Sequence, residues 1–525
     1  MSSLNTTSIT SLQTAETHGP KVPNLGGSLW SMLNDTAVKH PESEAVASLW
    51  QPMWQAGNSD VRSDGISCRG LGNKLATAKS SSDDSDKTTR LTYSQLLQTV
   101  ELLAKWLEDR GSKKGVNLVA FVWNSVEWAI FFWVAARLEM PFVPVDPREM
   151  SENADYYIKL TQPSVLVIQD EESIPPGLEA AKYVSIKILC TRSSSQVDSS
   201  WSYLPDILTS LQRSVESTTI SRVSQDRTGD SLALIVFTSG TTSRPKGCLH
   251  TGKILWSQTY DFDPVSTKNN MQHKTLIHTP VWHSFAINQA LRGWRYGHSV
   301  VFPSKQFNVE ATLRALQNEK CTYMAAVPPL VRALVANPAF SQNDPLSLLY
   351  VSMGGTLITY EDVQFCKEKL GSESVIQAFG MTEGIPIASW LRDDPLLKDG
   401  YHSGIGKSLP GAAMRICSPG SRQPLRRNES GELHISGTSV IAGYLGGIEA
   451  GAFYEDNNET WFITGDQARI DPDGVLYIIG RYKDIIIRGG ENLVPAKIEQ
   501  CLAQFCGVAV SITIRFYIFN LNFTS

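Results

Sequence analysis

From Leu91 onward, short runs of apolar and β-branched residues alternate with longer segments whose apolar positions return every three or four residues. Asn117–Trp123, Val165–Gln169, Leu232–Phe237, Ser299–Phe302 and Tyr323–Ala326 have the length and composition of buried strands. Tyr93–Asp109, Ala311–Asn318 and Leu330–Ala336 have the spacing of helices with one apolar face. The most apolar stretch, Trp128–Val145, contains Arg137, Glu139, Pro141 and Pro144, so it predicts a buried helix running into a strand and not a membrane span. This alternation predicts an α/β fold, a large body of layered sheets and helices. From Gly431 to Gly480 the pattern shortens to strands and turns, with Asp471-Pro472-Asp473-Gly474 ahead of Val475–Ile479, and predicts a β-rich subdomain.

Composition refines the division of the chain. A length of 525 residues suggests roughly three units. Residues 1–27, rich in Ser and Thr, read as a flexible tail without a secretory signal, and residues 28–480 as the large body. Residues 55–90, centred on Ser80-Ser-Ser-Asp-Asp-Ser-Asp86, read as a disordered insertion because they hold too little apolar surface to offset ordering. A formal charge of -5 provides no basic excess for a nucleic-acid backbone, which excludes that class of partner. Eight cysteines without a CxxC pair argue against a zinc ribbon or a disulfide scaffold. The expectation is a cytoplasmic protein without a transmembrane segment, with a peroxisomal or peripheral-membrane location left open.

The sharpest chemical signal follows Leu232–Phe237, where Thr238-Ser-Gly-Thr-Thr-Ser-Arg-Pro-Lys-Gly247 combines hydroxyls, glycines and one lysine. Such a loop can wrap phosphate oxygens with backbone N–H groups, hydroxyls and a point charge. It is not a Walker A loop, because Pro245 precedes Lys246 and Gly247 follows it. His273, His278 and His283 recur every five residues, a step of ~500° on a helix that scatters the rings and argues against a zinc site.

In chain order there follow Gly354-Gly355-Thr356, Gln377-Ala-Phe-Gly-Met-Thr-Glu-Gly384, Gly431-Glu432-Leu433 through Gly443-Tyr444, Thr464-Gly465-Asp466, and Gly480-Arg481-Tyr482-Lys483-Asp484 through Gly490. With the Thr238–Gly247 loop, this series resembles the acyl-adenylate-forming superfamily, which includes acyl-CoA synthetases, luciferases and peptide-synthetase adenylation domains. The resemblance implies that Thr238, Ser239, Gly240, Thr241, Thr242 and Lys246 hold the ATP phosphates. It implies Glu383 as the Mg²⁺ carboxylate, Thr382 at the α-phosphate, and Gly354, Gly355, Thr356 and Phe379 around adenine. Asp466 and Arg481 are then ribose ligands, and Lys483 marks the hinge between large and small domains. Gly489 and Gly490 line the path of a thiol, either CoA or a carrier-protein pantetheine. His283 matches a position near the carboxylate pocket. An isolated Thr382-Glu383 would also suit a helix N-cap. No Asp occurs in Trp282–Asn288, which favours a simple carboxylic acid, fatty or polyketide-type, over an amino acid.

Similar proteins continue past the Gly489-Gly490 motif to a late lysine in a Gly-Lys context. Here Lys497 is the one lysine after Gly490, and it lies in a helix start that matches no catalytic position. The expectation is therefore a truncated C-terminal α+β stub at residues 481–525. Two functions are expected: an acid–thiol ligase acting through acyl-AMP, or a catalytically weak protein that binds nucleotide or acyl-adenylate.

Overall fold

The apolar runs pair as strands because their backbone N–H and C=O groups are satisfied by neighbouring strands. The computed structural model describes residues 14–22, 28–51, 88–175, 178–191, 199–214, 229–238, 244–260, 273–341, 345–391, 394–484, 486–488 and 491–493, together with Ile498 and Leu502. It is a layered α/β structure. One seven-stranded sheet runs Gly247–Thr251, Leu232–Phe237, Phe142–Pro144, Leu118–Phe121, Val165–Ile168, Ile186–Leu189, Trp201–Tyr203. It is parallel except where Gly247–Thr251 folds back on Leu232–Phe237. A nine-stranded sheet has a parallel centre, including Ser299–Phe302, Lys274–Leu276, Tyr323–Ala326 and Tyr350–Met353, and antiparallel pairs at both ends.

Helices fill the space between these sheets. Val126–Leu138 is apolar on most of its surface and buried on every side, with its two charged residues, Glu127 and Arg137, buried as well and Arg137 paired with Glu101. Ser125 caps it by accepting from Trp128 N at 3.2 Å, and the left-handed Glu139 (φ 52°) ends it before strand Phe142–Pro144. This is the helix-into-strand arrangement expected of Trp128–Val145. Trp128, Phe132, Trp133, Phe142 and Trp294 meet there, with ring centroids 5.2–6.3 Å apart. No helix among the described residues is long and apolar enough to cross a membrane. The five described cysteines are all buried and free.

Three expectations are corrected. Within residues 1–27, Glu16–His18 is a strand at the edge of a six-stranded antiparallel sheet, paired with Ala413–Cys417. Arg415 fixes it through an ion pair to Glu16 Oε2 at 2.9 Å, and Arg427 donates to the Glu16 carbonyl at 2.8 Å. The same sheet also takes in Ala413–Cys417, so it extends beyond the predicted 431–480. Thr89 and Arg90, placed in the insertion, belong to strand Thr89–Thr92. Buried Thr89 and Leu91 alternate there with Arg90, which binds Glu44 and Glu319. The remainder of the expected insertion lies outside the described residues. Past Arg481, Ile486–Arg488 and Glu491–Leu493 form a two-stranded hairpin.

Candidate active site

Three antiparallel pairs deliver the predicted groups. In the first, Thr238 and Lys246 close the loop between Leu232–Phe237 and Gly247–Thr251. Thr238 N donates to the Lys246 carbonyl at 2.9 Å, and Lys246 N to Thr238 Oγ1 at 3.4 Å. A strand follows the loop, whereas a Walker loop opens a helix. Ser239, Gly240, Thr241 and Thr242 lie outside the described residues. The Lys246 ammonium pairs with Glu449 Oε1 at 2.5 Å.

The second pair is Ser374–Met381 with Gly384–Ser389, in which Met381 faces Gly384. Thr382 and Glu383 form its tip, so they are not a helix N-cap. Glu383 is half-buried, and its Oε1 accepts from the Tyr444 hydroxyl at 2.6 Å. Below the tip lies His250, fully buried on strand Gly247–Thr251; burial pushes its imidazole down to about 4, against a contact with the Thr382 backbone.

The third pair joins Glu459–Ile470 to Leu476–Arg481, with Asp466 opposite Arg481. Arg481 Nε donates to Asp466 Oδ1 at 2.8 Å. Burial raises the Asp466 carboxyl above its ordinary range, and Arg481 opposes that rise. The charge of Glu383 is felt at both Asp466 and Arg481, so the second and third pairs share one electrostatic site.

Beside these groups opens a cavity of about 300 Å³. His283, Gly354, Gly355, Phe379 and Thr382 all line it, while Thr356 is exposed outside the lining. Gly354 has no room for a side chain, since a Cβ would stand 2.8 Å from the Ala378 carbonyl, and Gly355 needs its φ of 76°. His283 precedes helix Ser284–Arg295, whose Ser284, Asn288 and Arg292, one turn apart, form a wall. No Asp or Glu lines the cavity among the described residues. His273 and His278 are buried away from His283, and no described cluster of His, Cys, Asp and Glu is suited to a metal. Lys483 is exposed in the turn after Leu476–Arg481; Gly489 and Gly490 lie outside the described residues.

Two members of the site escape sequence reasoning, His250 and the Tyr444 hydroxyl. Alternation along Gly247–Thr251 points His250 inward and is legible in the sequence, but its neighbour Thr382 comes from a distant hairpin.

The layered α/β body thus gathers Lys246, Glu383, Asp466 and Arg481 beside a cavity that no acidic side chain lines among the described residues. The chain belongs to the AMP-binding enzyme family, whose model matches residues 67–445. An acyl-CoA ligase of Pestalotiopsis microspora is 28% identical over 438 residues, 80% of this chain and 74% of that protein. A feruloyl-CoA synthase of Amycolatopsis is 26% identical over 421 residues, 80% of this chain and 79% of that protein. ATP-bound MatB from Rhodopseudomonas palustris shares the fold with a TM-score of 0.69 at 22% identity, over 91% of this chain and 84% of that one.

Proposed function

We propose that this chain is an acid–thiol ligase of the acyl-CoA synthetase type, which activates a carboxylic acid with ATP and Mg²⁺ and passes the acyl group to a thiol. The observation that carries the reading is that Glu383 shares the Tyr444 side chain with Lys246 and its charge acts on Asp466 and Arg481, next to a cavity that Thr382 lines. Family membership and the ligase relatives support it.

In this reading the acid's carboxylate oxygen attacks the α-phosphorus, the bond to the β-phosphate breaks, and pyrophosphate leaves. Lys246 and Thr238, with Ser239, Gly240, Thr241 and Thr242, hold the departing phosphates. Thr382 donates to the α-phosphate, where charge shifts during the step. Glu383 offers a hard carboxylate oxygen at a half-buried position, which fits magnesium. Magnesium, when bound, offsets phosphate charge as a Lewis acid. Asp466 accepts from the ribose hydroxyls while Arg481 orients it; Gly354, Gly355 and Phe379 receive adenine. His283 stands at the acid's end of the cavity. In the second step the thiol sulfur of CoA, or of a carrier-protein pantetheine, attacks the acyl carbon and AMP leaves, Gly489 and Gly490 bordering that path. A fatty or polyketide-type acid suits the largely apolar lining, and the buried free thiols suit a reducing, cytoplasmic setting.

Acid-dependent exchange of pyrophosphate into ATP, with hydroxylamine trapping of the acyl group, tests the reading on aliphatic and aromatic acids. Exchange that rises with one class of acid supports it. Exchange indifferent to every acid in the panel rejects it.

A further inference from the structure

Tyr444 belongs to the Gly443-Tyr444 motif, to which the proposed reaction assigns no task. The backbone around it is stitched to two of the three site-bearing pairs. Val440 bridges Gly384, and Ile441 N donates to the Glu383 carbonyl at 2.9 Å. Leu249 N donates to the Gly443 carbonyl at 3.3 Å, and Cys248 bridges Tyr444. One short segment thus ties the strand that follows Lys246 to the tip that carries Glu383.

The side chain repeats that connection. It is buried against Phe453 and Phe462, with ring centroids 5.5 and 6.4 Å away. A buried phenol requires a partner for its hydroxyl, and here the partner is Glu383 Oε1 at 2.6 Å. The Lys246 ammonium stands 5.6 Å from the centroid of the same ring, within cation–π range.

We infer that Tyr444 is a positioning residue that holds Glu383 and Lys246 in register, so that one carboxylate and one ammonium meet the magnesium ion and the phosphates of a single nucleotide. The inference rests on the nucleotide reading above. A carboxylate anchored through one oxygen keeps its remaining lone pairs for a metal and loses rotational freedom, which is how an outer partner tunes a metal ligand.

The test is calorimetric titration of ATP into the full chain with Mg²⁺ and with chelator, alongside Mn²⁺ binding in the presence of ATP followed by electron paramagnetic resonance. Tyr444→Phe keeps the ring and removes the donor. It should raise the metal concentration needed for half-saturation by roughly ten- to a hundred-fold, while metal-free ATP binding stays within about two-fold, since the ring beneath Lys246 is retained. Tyr444→Leu also removes the ring and should weaken metal-free binding as well. A wild-type metal requirement in Tyr444→Phe overturns the inference, as does an equal loss with and without metal, the sign of a merely structural role. Normal nucleotide binding by the wild-type chain in those same titrations confines that failure to Tyr444. A wild-type chain that binds no ATP under either condition rejects the functional reading, and the inference with it.

Discussion

Glu449 sits half exposed with a left-handed φ of 50°, and its carboxylate closes on Lys246 at 2.5 Å. Any phosphate that uses Lys246 has to displace it. An ion pair this open to water contributes about 1 kcal/mol or less, so Glu449→Gln should tighten ATP binding by about two- to five-fold. Equilibrium titration of ATP checks this, and weaker binding in the variant contradicts it. Asp466 presents the opposite case, because it is buried and its partner Arg481 is largely exposed. Asp466→Ala should weaken ATP binding by about 1.5–3 kcal/mol, the range for hydrogen bonds to a charged group. Unchanged affinity in the same titration removes Asp466 from the nucleotide site.

Among the elements, Val126–Leu138 is buried along almost its whole length. Trp128 is fully buried and touches Phe132, Phe142, Trp294 and Phe302. Trp128→Ala should cost about 3–5 kcal/mol, read as a lower urea midpoint with the slope retained. That helix was legible in the sequence because a long apolar run, broken only by Arg137 and ended by Glu139 and Pro141, admits few other structures. Leu232–Phe237 and Tyr323–Ala326 were legible to the residue for a similar reason, being short apolar runs buried on both faces. Glu16–His18 and Thr89–Thr92 were not, since polar edge strands have the composition of loops and take their structure from partners far along the chain. The same limit applies to the site. The motifs indicate which residues bear chemistry, but no spacing reveals that Tyr444 meets Glu383 or that Glu449 meets Lys246.

For the whole molecule, acid exposes a stored imbalance. Burial pushes His250, His278 and His434 down to about 4 and His298 to about 3. Unfolded, these rings titrate near 6.5, so below that pH the unfolded chain binds more protons. Their contribution is complete above pH 6.5 and is lost as pH falls toward 4, on the order of 3 kcal/mol each. Glu319 adds a lower window. Against the cost of its burial, Arg90 and Lys274 hold its carboxyl at about 2, so its contribution is lost between pH 4.5 and 2. Urea midpoints measured from pH 7.5 to 4.5 should fall steadily below 6.5, and a flat profile down to pH 5 contradicts the account. The strand at Glu16–His18 has a further consequence in time. Arg427 grips Glu16 across 411 positions of chain, and closing so long a loop is slow and entropically costly. On the ribosome, strand Glu16–His18 must wait, edge unpaired, until Ala413–Cys417 has been translated, and until then a chaperone or a second nascent copy can capture it.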